Sequence, residues 1–229
     1  PKRAIAELTL WGALASAIYL PLAGWLVEIM SWRDTVRVLS LTSGAVMIVA
    51  AVVLPSAEAP APEDGVDTPT RPPLGEVLRA TIAPSGPRSF TVAIAFGGVA
   101  MSTMLVYQVP VMTSIGLPAA TAATMAGLRG VCQIGGRLPL SPVVARLGSD
   151  RALVLAFCAI ATGGALLAIS DNVAIAATFA VVAGLGVGAF SPLQGMKSEE
   201  LFDRSVLGAT MGLYSSVLQL AGPAGPVAA

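Results

Sequence analysis

Residues 127–151, "GLRGVCQIGGRLPLSPVVARLGSDR", raise the question on which the fold of the chain depends. The stretch is apolar enough to lie in a lipid bilayer, yet it holds Arg129 and Arg137 well before the charges that should end such a span. Ionisable residues inside a membrane are costly and normally face a partner or a water-filled path. The rest of the chain decides whether this is a membrane helix.

The composition is that of a membrane protein. Of 229 residues, 55% are hydrophobic and 11% are charged, and the mean hydropathy is +0.80. Soluble domains carry about a quarter charged residues, so a water-facing surface of this chain would be poorly solvated. The chain also has 24 glycines, and small residues let helices approach closely in a membrane. These properties predict an all-α, polytopic membrane protein.

The composition also excludes several kinds of chemistry. The chain has no histidine, and its two cysteines, Cys132 and Cys158, lie in apolar runs where packing is a commoner role than a disulfide. Histidine-based metal sites and acid–base catalysis are excluded, and we predict neither an enzyme nor a cofactor. The sequence has no run of basic residues of the kind that would indicate nucleic-acid binding. Because the chain begins at Pro1 within an apolar stretch, we interpret it as a fragment of a longer protein.

Seven segments are long and apolar enough to cross the hydrocarbon, which takes about 20 residues. Between the second and third lies a polar, Pro-rich segment with a short amphipathic piece around "LGEVLRATI". It divides the chain into the end of an N-terminal half (1–54), a central cytoplasmic loop (55–88) and a C-terminal half (89–229) whose last helix is missing. The predicted spans are 6–29, 36–54, 90–113, 119–144, 152–170, 173–195 and 206–228.

Basic residues set the orientation, because loops rich in Lys and Arg stay in the cytoplasm. If the spans alternate in direction, most of the basic residues lie on one side of the membrane, which is then cytoplasmic. They are found at the chain start, in the central loop, near 146–151 and near 197–204. Arg33 and Arg37, in "SWRDTVR", fall on the opposite side, and charge alone does not explain them. The prediction is a multi-pass protein of the plasma or inner membrane.

The first and last spans are similar in sequence. "RAIAELTLWGALASAIYLPLAG" (3–24) aligns without gaps to "RSVLGATMGLYSSVLQLAGPAG" (204–225), with an arginine, a threonine and a glycine in register. Equivalent helices six spans apart indicate a duplicated six-helix half, the parallel repeat of the major facilitator design. The alternative is that two spans rich in small residues look alike without being related.

On these grounds the chain resembles a major facilitator superfamily transporter over nearly its whole length. Residues 135–151, "GGRLPLSPVVARLGSDR", are similar to the family's loop motif after its second and eighth helices, with Ala145 where the motif has Asp. The resemblance implies a partial major facilitator fold, with helices five to eleven of an expected twelve, and transport by alternating access. It implies a gating role for the matching positions, which are Gly136, Arg146, Gly148 and Arg151.

The "WR" pair after the first span and the sequence of the last span resemble monocarboxylate-type members of the family. In those proteins the eighth helix bears an Asp and, four residues later, an Arg that pairs with the substrate carboxylate. Here those places fall on Gln133 and Arg137. The resemblance thus implies carboxylate binding, but not proton coupling through that Asp. The fifth helix of the exporter branches carries a Gly-Pro-rich motif, of which this sequence matches only Pro21 and Gly24. The resemblance to the exporters is therefore the weaker one.

Helical geometry places Arg129, Gln133 and Arg137 on one polar stripe. At about 100° per residue they stand at about 0°, 40° and 80°, over a length of about 12 Å. In the functional interpretation the stripe lines the translocation path and its guanidinium groups bind an anionic substrate. In the alternatives, Arg137 extends to the cytoplasmic interface near Pro139, and Arg129 pairs with a carboxylate elsewhere in the protein.

Four further residues are candidates for the substrate path. Tyr107 and Gln108 precede Pro110, which frees backbone groups and can kink a helix, although a membrane tyrosine is more often interfacial. Ser191 and Gln194 lie near the inner end of the sixth span. The preceding "GLGVG" (184–188) predicts a packing surface rather than a phosphate loop, since no strand precedes it and no Lys–Ser/Thr pair follows.

The sequence therefore predicts a secondary transporter of a small organic anion such as a monocarboxylate, with proton symport as the expectation that the resemblance carries. Its partners would be the anion, protons, the bilayer and the N-terminal helices of the same protein. One alternative is a drug or metabolite exporter driven by proton antiport, which needs a carboxylate on a cavity-lining helix. Between residues 90 and 195 the carboxylates are Asp150 and Asp171, at loop positions. The other alternative is a membrane sensor that binds the anion without moving it.

Overall fold

In a computed structural model, the structure of the protein is described for residues 18–19, 22–53 and 72–228. All the regular secondary structure within these residues is helical, which confirms the all-α prediction. Residues 18–19 are helical, and the helices that follow are α1 (22–29), α2 (Trp32–Val53), α3 (Leu74–Ile82), α4 (Ser85–Ser114), α5 (Ala119–Arg137), α6 (Leu140–Leu147), α7 (Ser149–Ala168), α8 (Val173–Leu201), α9 (Arg204–Ala221) and α10 (Ala224–Ala228).

Several predictions fall on residues outside the described part of the chain. They concern residues 6–17 and 20–21 of the first predicted span, most of the first copy of the repeat, and residues 54–71 of the central loop. The division of the chain into two halves stays a prediction. The amphipathic piece predicted in that loop lies within the described residues and is helix α3.

Four of the predicted spans are single helices. The second, third, fifth and sixth correspond to α2, α4, α7 and α8, which are the described helices long and apolar enough to cross a membrane. α4 continues without a break through Pro110, about one turn before its end.

The other two fully described spans are interrupted by prolines. α5 gives way to α6 at Leu138 and Pro139, and α9 gives way to α10 at Gly222 and Pro223. A proline has no N–H to donate to the carbonyl four residues earlier, and its ring crowds that carbonyl. The continuous helices expected over 119–144 and 206–228 are therefore each two helices.

Helix α8 approaches α5 closely through two glycines on one face. A Cβ at Gly184 would lie 2.5 Å from the carbonyl oxygen of Arg129 and 2.6 Å from the Cβ of Cys132. Gly188, one turn further on, lies directly against the backbone of Gln133. A side chain at either glycine would push the two helices apart.

The other side of α8 packs on α7 in the same way. A Cβ at Gly186 would lie 2.9 Å from the Cβ of Ala159, and Gly163 of α7 lies against Ala183. Alternate glycines of "GLGVG" thus face different neighbours, and the packing role predicted for this motif is confirmed. Contact at this range holds helices together in lipid, where no hydrophobic drive acts between them.

Helix α4 packs on α9 through an aromatic cluster. The rings of Phe90 and Tyr214 meet edge to face with centroids 5.3 Å apart, and Phe202 lies 6.0 Å from Tyr214. Tyr214 is fully buried, and its hydroxyl oxygen accepts a hydrogen bond from Thr91 at 3.3 Å. Because this polar group has a partner, the whole ring can be buried. α3 packs on both α4 and α9.

The two N-terminal helices differ in their contacts. Gly24 of α1 lies directly against Ala123 of α5, and Leu26 is buried. No residue in the apolar stretch of α2 is buried. The apolar surface of α2 is therefore available to lipid or to other helices.

The two arginines at the start of α2 have local partners. Arg37 forms an ion pair with Asp34 at 2.9 Å, and the guanidinium of Arg33 lies 4.5 Å from the ring centre of Trp32. The side of the membrane on which these two arginines lie stays a prediction.

Substitution of Gly184 tests the packing of α8. We expect Gly184→Ala to lower the free energy of unfolding by about 1–3 kcal/mol, since overpacking costs this much when the neighbour is backbone. Gly212→Ala is the matched control, because a Cβ there meets nothing within 4 Å. It should be neutral or slightly stabilising. Thermal unfolding of the two purified variants in detergent measures the change in stability of each. Equal changes for Gly184→Ala and Gly212→Ala would contradict this packing.

Candidate functional site

The two arginines of the opening stretch have different surroundings, and Arg129 is the more deeply buried. It lies in the middle of α5 with 6% of its surface exposed, and its Nε donates a hydrogen bond to Oε1 of Gln108 on α4 at 2.9 Å. Gln108 is 1% exposed, and its Nε2 donates to the carbonyl oxygen of Leu105 at 3.1 Å. The second bond fixes the amide so that its oxygen faces the guanidinium.

The charge of Arg129 has no carboxylate partner among the described residues. The ion pairs there are Arg37 with Asp34 and Lys197 with Asp150 and Glu200, all at helix ends. A neutral amide oxygen satisfies one N–H of the guanidinium but does not offset its charge. A buried cation is strongly unfavourable unless an anion accompanies it. Arg129 is thus a site that an anion would stabilise.

Gln133 continues the polar surface one turn along α5. It is buried, and Gly188 of α8 lies against its backbone, so α8 closes this side of the helix. Its side-chain amide makes no hydrogen bond within the described part of the chain. The role of Gln133 as a substrate ligand stays a prediction.

Arg137 contacts α8 rather than an open surface. Its Nε donates to the carbonyl oxygen of Gly188 at 3.3 Å, and its Nη1 is buried without a hydrogen-bond partner. Pro192 lies inside α8 four residues after Gly188, and it has no N–H to give to that carbonyl. Arg137 therefore supplies a donor to a carbonyl that the proline leaves without its helical partner. Its role as a substrate ligand stays a prediction.

The other predicted ligands are not part of this cluster. The hydroxyl of Tyr107 donates to the carbonyl oxygen of Pro226 at 2.9 Å, so this ring connects α4 to α10. Ser191 is exposed and Gln194 is half-buried on α8, and neither is hydrogen-bonded through its side chain to Arg129 or Gln108. Of the predicted set, the structure brings together Arg129, Gln108 and, one turn away, Gln133.

The loop-motif residues have mixed surroundings. Gly136 is buried directly against the backbone of Leu185, and Gly148, between α6 and α7, has φ +82°, a conformation that favours glycine. Arg146 and Arg151 are exposed. Both glycines thus have structural reasons to be glycine, and the gating role of the four positions stays a prediction.

The sequence analysis did not predict a polar cluster where α7 begins and α8 ends. Nζ of Lys197 lies 2.8 Å from Asp150 and 3.1 Å from Glu200, and the hydroxyl of Ser149 donates to Glu200 at 2.6 Å. The signal was present in "GSDR" and "MKSEE", but the partners are about 50 residues apart in sequence and only the fold brings them together. The cluster ties the ends of two neighbouring helices.

Two other kinds of site can be compared with this one. An apolar groove of about 340 Å³ lies between α4 and α7, but its lining, which includes Phe96, Gly97 and Phe157, carries no charged or amide side chain. Within the described residues no group of three or more His, Cys, Asp and Glu side chains could hold a metal ion. Unlike the groove, the surroundings of Arg129 carry charged and amide side chains that can bind a polar ligand.

A double-mutant cycle tests whether Arg137 serves the carbonyl freed by Pro192. Arg137→Met keeps the aliphatic stem but removes the donor, and we expect a loss of about 1.5–3 kcal/mol of unfolding free energy, the range for hydrogen bonds to charged groups. In a Pro192→Ala background the alanine N–H can pair with Gly188, so the same change should cost much less. An equal loss in both backgrounds, measured by thermal unfolding in detergent, would contradict this pairing.

Comparison with known proteins gives one result. The sequence profile of the Major Facilitator Superfamily matches residues 2–226, which is nearly the whole chain. Searches of curated proteins and of solved structures gave no match. The match agrees with the apolar helices, the small-residue packing and the absence of strands within the described residues. The chain belongs to the Major Facilitator Superfamily, whose members are transporters and not enzymes.

Proposed function

We propose that this transporter carries a small organic anion, of the size and charge of a monocarboxylate, by alternating access. The observation that carries the proposal is the buried guanidinium of Arg129, which is hydrogen-bonded to a neutral amide and has no carboxylate partner among the described residues. A substrate carboxylate would supply the missing negative charge. The terminal nitrogens of the guanidinium can bind both oxygens of a carboxylate.

The neighbouring amides complete the proposed site. Gln108 holds the guanidinium through Nε, which leaves the terminal nitrogens to face a ligand. Gln133 offers an amide N–H one turn away. Arg137 is proposed as a second anion-binding group one turn beyond Gln133, since its Nε is held by Gly188 and its buried Nη1 has no partner among the described residues.

Proton symport in the plasma or inner membrane is part of the proposal, and it comes from the resemblance to monocarboxylate-type members. Between residues 90 and 195 the carboxylates Asp150 and Asp171 lie at helix ends. We therefore place the group that carries the proton outside this stretch.

Uptake into proteoliposomes tests the proposal. With labelled lactate, pyruvate and a dicarboxylate outside and an inward proton gradient, we expect gradient-driven uptake of an anion. Arg129→Gln should lower that uptake by about 10- to 100-fold, because a hydrogen bond to a charged group is worth about 1.5–3 kcal/mol. Uptake by Arg129→Lys should lie between that of the unmodified protein and that of Arg129→Gln, because lysine keeps the positive charge but lacks the forked geometry of the guanidinium.

Arg88→Gln is the matched control, since Arg88 is exposed at the start of α4. It should transport like the unmodified protein, and size-exclusion profiles verify that every variant is folded. Anion uptake unchanged by Arg129→Gln would overturn the assignment of the site. Uptake of cations or neutral drugs in place of anions would favour the exporter, and binding of an anion without uptake would favour the sensor.

A further inference from the structure

Helix α3 has three distinct faces. Val77 and Thr81 are buried where the helix packs on α4 and α9. Leu74, Leu78 and Ile82 form a row with four-residue spacing along the helix, and they are 69%, 37% and 53% exposed. The third face is polar and exposed, with Gly75, Glu76 and Arg79.

The position of α3 in the fold places it at the edge of the hydrocarbon. It ends at Ile82, three residues before α4 begins at Ser85, and the exposed Arg88, in the first turn of α4, is the one charged residue of that helix. A Cβ at Gly86 would lie 3.7 Å from Leu201, the last residue of α8, so the polar end of α8 is at the same level. α3 therefore lies where the spans leave the lipid core.

Water and lipid favour different faces of this helix. An apolar row beside a polar face is the pattern of a helix that lies in the plane of a membrane interface, with its apolar side chains in the acyl-chain region. Arg79 lies on the polar side of the row, where its long side chain can reach the headgroup phosphates.

We propose that α3 is a lipid-binding interfacial helix, whose Leu74, Leu78 and Ile82 side chains enter the acyl chains of the adjoining leaflet while Arg79 stays at the phosphate level. The buried face joins this helix to α4 and α9, so lipid contact holds the base of both helices at a fixed depth. The inference is independent of the substrate, and it holds whether or not the transported molecule is an anion.

Depth measurements on single-cysteine variants test the proposal. Cys132 and Cys158 are replaced by alanine, and Leu74→Cys, Leu78→Cys and Ile82→Cys are compared with Glu76→Cys and Arg79→Cys on the polar face. Each cysteine carries a bimane label, and the purified protein is reconstituted in vesicles of phosphatidylcholine and phosphatidylglycerol. Quenching by brominated acyl chains reports lipid contact, and quenching by iodide reports water.

The proposal predicts at least threefold stronger bromolipid quenching at 74, 78 and 82 than at 76 and 79, with the reverse order for iodide. Strong iodide quenching at all five positions would overturn it and place α3 in water. Protection of 74, 78 and 82 from both quenchers would also overturn it, and would show that another protein segment or a second copy covers the row. All five residues are exposed or at the helix surface, so the substitutions leave the core intact.

Discussion

The lipid interior offers no water to hydrogen-bond polar groups, and this constraint connects the main features of the structure. The carbonyl left without a partner by Pro192 receives a donor from Arg137 on another helix. Threonine and serine side chains within the helices donate back to carbonyls of their own turn, as Thr103 does to Val99 at 2.8 Å. The most deeply buried charge is an exception: within the described residues Arg129 has a polar partner but no counter-ion.

The packing of α8 determines where that exception lies. Glycines on one face of α8 bring it against the backbone of α5 at Arg129 and Gln133, and a glycine on the other face brings it against α7. The polar stripe of α5 is thereby held between α8 and α4, where Gln108 can reach it. The glycines of "GLGVG" thus position the residues proposed to bind the substrate.

Much of the fold follows from the sequence because its signals are local. Twenty apolar residues in a row predict a span, and "GLGVG" without a strand predicts packing. The interruptions at Pro139 and Pro223 were missed because hydropathy counts apolar residues and ignores the donors that proline lacks. The short amphipathic piece expected around "LGEVLRATI" is a helix, Leu74–Ile82.

The site was only partly predictable, because its contacts join distant parts of the chain. Helical spacing placed Arg129, Gln133 and Arg137 on one stripe, but the bond from Arg129 to Gln108 spans 21 residues and that from Arg137 to Gly188 spans 51. Helical spacing alone could not predict that the two arginines have different partners. Arg129 is hydrogen-bonded to a side-chain amide and Arg137 to a backbone carbonyl. Tyr107 and Gln108 are adjacent in sequence, yet they face different helices.

The central claim is that the buried charge of Arg129 binds an anion, and ligand-dependent stability tests it most directly. A ligand that binds the folded protein raises its melting temperature with concentration. The account predicts that lactate raises the melting temperature of the purified protein, that neutral lactamide does not, and that Arg129→Gln abolishes the difference. Equal shifts with both compounds, or a lactate shift that survives in Arg129→Gln, would contradict it.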